Sequence, residues 1–61
     1  MNPSDIAVLR DFYYAVRNYL YWDDEFRSEQ EYSVLKNVTD WRNRMNELLP
    51  NVLEIITSFK P

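Results

Sequence analysis

Sixty-one residues form at most one domain, too few for a catalytic domain of ordinary size with its own cofactor fold. With neither cysteine nor histidine the chain has no disulfide and no zinc staple, so a short chain with little interior leans on oligomerisation or a partner for stability. Ten acidic against seven basic residues leave a formal charge of −3, and the one close basic pair, Arg42 and Arg44, is too little to hold a phosphate backbone, which argues against direct nucleic-acid binding.

The opening Met1-Asn2-Pro3-Ser4-Asp5 lacks the basic and apolar regions of a signal peptide. The longest apolar run, Phe12 to Val16, spans five residues, and Tyr19 to Trp22 spans four, far short of the roughly 18 that a membrane span requires. The expectation is a soluble, cytoplasmic chain without membrane contact. Asn37-Val38-Thr39 matches the glycosylation sequon and, without a secretory signal, reads as chance.

Zero glycine in the chain argues against folds with several tight reversals, because glycine supplies most positive-φ turn and cap positions. Long helices are the alternative. Ile6, Leu9, Phe12, Tyr13, Val16, Tyr19 and Leu20 follow helical spacing with a broad apolar face and predict helix 1 over about 5–22. Ser4 is its expected N-cap, with Asp5 in the first turn. Ser28-Glu29-Gln30-Glu31 reads as a capping box that starts helix 2 at about 29, which leaves 23–28 as the loop of an antiparallel helical hairpin.

Helix 2 carries the clearest pattern. Val34, Val38, Trp41, Met45, Leu48, Val52, Ile55 and Phe59 alternate spacings of four and three, an unbroken heptad seam. Pro50 falls at an f position if Leu48 is d, and in a helix interior it clashes with the carbonyl of Asn46. Helix 2 is therefore expected to run over about 29–49 and to be kinked or broken at Pro50, with a continuation or a third helix over about 50–59. The unchanged register across Pro50 favours a bend.

A hairpin turning at 23–28 leaves everything beyond Glu47 without an intramolecular partner, and that tail holds Leu48, Leu49, Val52, Leu53, Ile55, Ile56 and Phe59. Either a third helix folds back, giving a three-helix bundle, or a second chain covers the tail. Lacking glycine at the Leu49-Pro50-Asn51 junction, the chain favours a dimer with Leu48, Val52, Ile55 and Phe59 at the oligomer interface.

The chemistry read from the sequence is mostly negative. No histidine or cysteine supplies a base, nucleophile or soft metal ligand, and no glycine-rich phosphate loop exists, so an enzyme, a cofactor and a metal site are not expected. Three features rise above this background. Arg10, Tyr14, Arg17 and Tyr21 form a ladder on the outer face of helix 1, able to stack by cation–π contact and made of residue types common at binding hot spots; a plain solvated face is the bland alternative. Asp23, Asp24 and Glu25, followed by Glu29 and Glu31, make an acidic edge suited to a basic partner surface or to plain solvation. Seven of the ten aromatics, from Phe12 to Phe26, crowd 15 residues and read mainly as core.

The function these features favour is a small non-enzymatic interaction module that binds and modulates another protein, as an inhibitor, adaptor or antitoxin-like regulator of the kind phages and mobile elements encode. The alternative is an oligomeric small-ligand binder that holds a nucleotide-like molecule between subunits with aromatics and Arg42 or Arg44. A structural assembly subunit is the third reading.

Overall fold

The computed structural model describes residues 2–59 and consists of two helices, α1 (Pro3–Ser28) and α2 (Tyr32–Thr57), packed against each other. The body is a rod of 45 × 17 × 15 Å, as expected for two side-by-side helices of 26 residues each. Among the described residues there is no strand and no third helix.

α1 begins earlier and ends later than the sequence signals suggest. Its N-cap is Asn2, whose Oδ1 accepts from the Asp5 amide at 2.8 Å, and Pro3 takes the first helical position, where its fixed φ helps and its missing N–H costs nothing. Ser4 lies inside the first turn. At the other end α1 runs through Asp23–Arg27, the stretch expected to be loop. Trp22 and Phe26 continue the spacing of Val8, Phe12, Ala15 and Tyr19, so stopping at Trp22 would leave Phe26 off the seam. Burying much of one phenylalanine outweighs a capping box, whose bond is worth about 1 kcal/mol. The helical path also lets Arg27 in the last turn pair with Asp23 at 3.3 Å.

The capping box accordingly does not form: Ser28 is the last helical residue of α1, and Glu31 is the N-cap of α2 without a side-chain bond. The reversal occupies Glu29, Gln30 and Glu31. Glu29 and Glu31 are extended, with φ of −124° and −96°, and no described residue has positive φ. A helix–helix connection built this way needs no glycine. On either side of Gln30 the backbone amides of the turn are paired, Glu29 N–H donating to the Glu25 carbonyl and Glu31 N–H to the Glu29 carbonyl, each at 2.8 Å.

α2 is a single helix through Pro50, which is exposed and lies away from the seam. Taking the seam as a heptad, Val38, Met45 and Val52 are a positions and Val34, Trp41, Leu48 and Ile55 are d positions. On α1 Phe12, Tyr19 and Phe26 are a, and Val8, Ala15 and Trp22 are d. Measured outward from Gln30, Trp22 lies level with Val38, Ala15 with Met45, Phe12 with Leu48 and Val8 with Val52.

This register removes the expected overhang. The reversal sits later in the chain than 23–28, the two arms are equal, and the tail packs on the first turns of α1. Leu48, Val52 and Ile55, assigned from sequence to an oligomer interface, are buried within the single chain, and of that set only Phe59 is exposed, at 56 %. The buried apolar core is small: Ala15, Val34, Val38, Leu48, Val52 and Ile55, with Phe12, Tyr19, Trp22 and Phe26 half-buried around it; Tyr13, Tyr14 and Tyr21, read with them as core from the sequence, are exposed because their rows lie off the seam. Ala15, fully buried midway along α1, lets the two helices approach at the level of Met45.

Candidate functional site

Away from the seam, the unbroken α1 gathers the sequence-predicted site residues in a way a loop at 23–28 would not. Arg10, Arg17 and Asp24 recur every seven residues along one row of the helix, and Tyr14, Tyr21 and Glu25 follow at spacings of seven and four on the neighbouring rows. The basic-aromatic ladder and part of the acidic edge are thus one continuous surface. Asp23 stands apart, half-buried on the opposite flank of α1 and paired with Arg27.

Tyr14, Arg17, Asn18 and Tyr21 line a shallow open groove of about 410 Å³. Tyr14 is 50 % and Tyr21 57 % exposed, so both rings offer area to a partner without being part of the core. Each ring is held by its sequence neighbour, Tyr14 against Tyr13 at 5.7 Å and Tyr21 against Trp22 at 5.1 Å, both edge-on. Among the described residues no arginine stacks on a ladder tyrosine, in place of the cation–π stack the spacing allows. Arg10 leans on Asp11 at 3.8 Å, whereas Arg17 has no salt-bridge partner among the described residues. The groove therefore offers an uncompensated guanidinium between two aromatic rings, a combination frequent at binding hot spots.

Asn18 belongs to this site and was not singled out from the sequence. Its signal was available, since it follows Tyr14 by four residues and precedes Tyr21 by three. It adds a side-chain amide, both donor and acceptor, to a surface otherwise limited to phenol and guanidinium groups.

The remaining candidates assemble less. Glu29 and Glu31 are exposed residues of the connection, and among the described residues no three acidic side chains converge on a metal-sized site. Arg44 is paired with Glu47 at 3.2 Å on α2, and Arg42 lies exposed on another row of that helix. Neither reaches the groove. All four groove residues come from α1 alone, so no second wall encloses a small ligand. No helix among the described residues is long and apolar enough to cross a membrane.

No protein-family model matches this chain, and no curated protein or solved structure is significantly similar to it.

Proposed function

We propose that the chain is a non-enzymatic interaction module that binds and modulates another protein, in the manner of an inhibitor, adaptor or antitoxin-like regulator, through the outer face of α1. One observation carries the reading: the exposed Tyr14–Arg17–Asn18–Tyr21 groove lies outside the seam on a rigid helix, with an arginine left unpaired among the described residues between two half-exposed tyrosines. Helical placement fixes the three groups relative to one another before binding, which reduces the ordering cost of association. Beside this row Asp24 and Glu25 extend the surface with negative charge, so the partner this face fits is a protein presenting an acceptor or acidic group for Arg17 next to a basic patch.

The test separates binding from folding. Tyr14→Ala combined with Tyr21→Ala removes two exposed rings and is expected to leave the melting temperature nearly unchanged, because such surface truncations cost within about 0.5 kcal/mol. Capture of the cellular partner is expected to fall by more than about 30-fold, the equivalent of a 2 kcal/mol hot spot. Asp24→Asn with Glu25→Gln is expected to weaken capture in a salt-dependent way. Capture unchanged in both variants at unchanged stability would refute the assignment of this face.

A further inference from the structure

A second surface, distinct from the groove, is defined by where the exposed apolar side chains fall in the heptad. Among the described residues eleven large apolar side chains are exposed, and eight of them, Ile6, Tyr13 and Leu20 on α1 with Tyr32, Leu35, Leu49, Leu53 and Ile56 on α2, occupy e or b positions. The other three are Tyr14 and Tyr21 of the groove and the terminal Phe59. In an antiparallel helix pair the e rows of the two helices lie on the same side of the seam and the g rows on the other. The e side is therefore mainly apolar on both helices, interrupted by the Asp23–Arg27 pair on α1 and by Thr39, Arg42 and Asn46 at the middle of α2, while the g side carries Asp11, Asn18 and Glu25 against Asn37, Arg44 and Asn51. The hairpin is a half-bundle with one dry face.

We propose that this face is covered by a second copy of the chain, making an antiparallel four-helix bundle with its two-fold axis parallel to the helices. The area fits. Eight side chains between 40 and 81 % exposed leave about 700 Å² of apolar surface in water. Summed over the face, that approaches the roughly 800 Å² per partner of a stable interface. Both helices contribute to the face, α1 from Ile6 to Leu20 and α2 at its two ends, as a self-complementary contact requires.

The charge pattern selects the arrangement. Next to the apolar rows α1 carries Arg10, Arg17 and Asp24, whereas α2 carries Lys36 and, one row behind it, Asp40, Glu47 and Glu54. With the axis parallel to the helices, α1 of one copy lies along α2 of the other. Asp24 then comes level with the partner's Lys36, and the arginine row borders the partner's acidic row. With the axis perpendicular, α1 would lie on α1, arginine row against arginine row and acid against acid, which like-charge repulsion disfavours. The parallel axis places both loops at the same end. Tyr14, Asn18 and Tyr21 lie on rows farther from the face than the arginines and stay open, while Arg17 stands at the edge shared by the groove and the partner's acidic row.

Sedimentation equilibrium at about 100 µM, well above the dissociation constants common for interfaces of this size, is expected to give twice the 7.5 kDa chain mass. Leu20→Asp with Leu49→Asp, both on the exposed face, is expected to return the mass to one chain while helicity persists. Because the chain has no cysteine, a spin label on Gln30→Cys reports the arrangement alone: a distance within about 25 Å means loops at one end, and one near the 45 Å length of the rod means loops at opposite ends. A wild-type monomer, or a double-aspartate variant that stays dimeric, overturns the proposal; a monomer leaves the face to a different protein. A label distance near 45 Å overturns the parallel axis. If the aspartates unfold the chain, the wild-type mass and the label distance still decide. Loss of partner capture by the tyrosine variant at unchanged mass would keep the two surfaces distinguishable.

Discussion

Val52→Asp is expected to abolish folding at 25 °C. Val52 is an a position, buried within the single chain and level with Val8 on the facing helix. Its nearest core neighbours along α2, Leu48 and Ile55, are apolar, so a carboxylate there loses its hydration without gaining a donor. That penalty is several kcal/mol, against a total stability of about 3 to 9 kcal/mol for a domain of this length. The control is the adjacent exposed Asn51→Asp, which adds the same charge outside the seam and is expected to leave helicity intact. Far-UV circular dichroism with a urea titration distinguishes the two. Equal behaviour of the two variants would mean that the tail does not pack on α1.

Ala15→Leu is expected to cost about 1–3 kcal/mol, and more if the helices cannot separate. Ala15 is fully buried at the middle of α1, where its small side chain sets how closely the two helices approach beside Met45 and near Trp41. Leucine is nearly as good a helix former as alanine, so the loss comes mainly from packing. Ala15 is fully buried, so the added carbon atoms push the two helices apart. Pairing the substitution with Met45→Ala on the facing helix is expected to recover part of the loss, because the two sites are level across the seam. Strict additivity of the two effects in a thermal-melt cycle would place Ala15 and Met45 out of contact.

Fold class was legible in this sequence, and register was not. The alternating spacing from Val34 to Ile55 marks the side of α2 that packs on α1, with Trp41 and Met45 half-buried and the other five buried, and the missing glycine matches a chain with a single reversal made from extended residues. Local end signals misled. Ser28 and Glu31 look like a capping box, yet a cap is worth less than the burial of Phe26, and only the facing helix makes that burial available. Moving the reversal from 23–28 to 29–31 lengthens one arm and shortens the other, and this change alone turns an apparent overhang at Leu48, Val52 and Ile55 into core. At the N-terminus Asn2-Pro3 carried the right signal, a capping side chain before a proline at the first helical position, and Ser4 drew attention from it.

The groove was legible in part, since Arg10, Tyr14, Arg17 and Tyr21 follow from spacing on a single helix. Its continuity with Asp24 and Glu25 was hidden by the same misplaced reversal. The apolar side of the hairpin was hidden for a different reason: Ile6, Leu9, Tyr13 and Leu20 read as one broad core face until the partner helix fixes which part of it is covered. A helix face 100° wide or more suits a helix with neighbours on two sides, and this chain supplies only one.

The position of the reversal is the claim from which the core, the groove and the dry face all follow. Paramagnetic broadening from a spin label on Ser4→Cys tests it most directly, in the Leu20→Asp, Leu49→Asp background so that only contacts within one chain count. A reversal at Glu29–Glu31 puts Ser4 level with Ile56, so the strongest broadening on α2 is expected around Ile55–Thr57. Broadening centred on Asn46 and Glu47 would place the reversal at 23–28, restore the overhanging tail, and contradict this account.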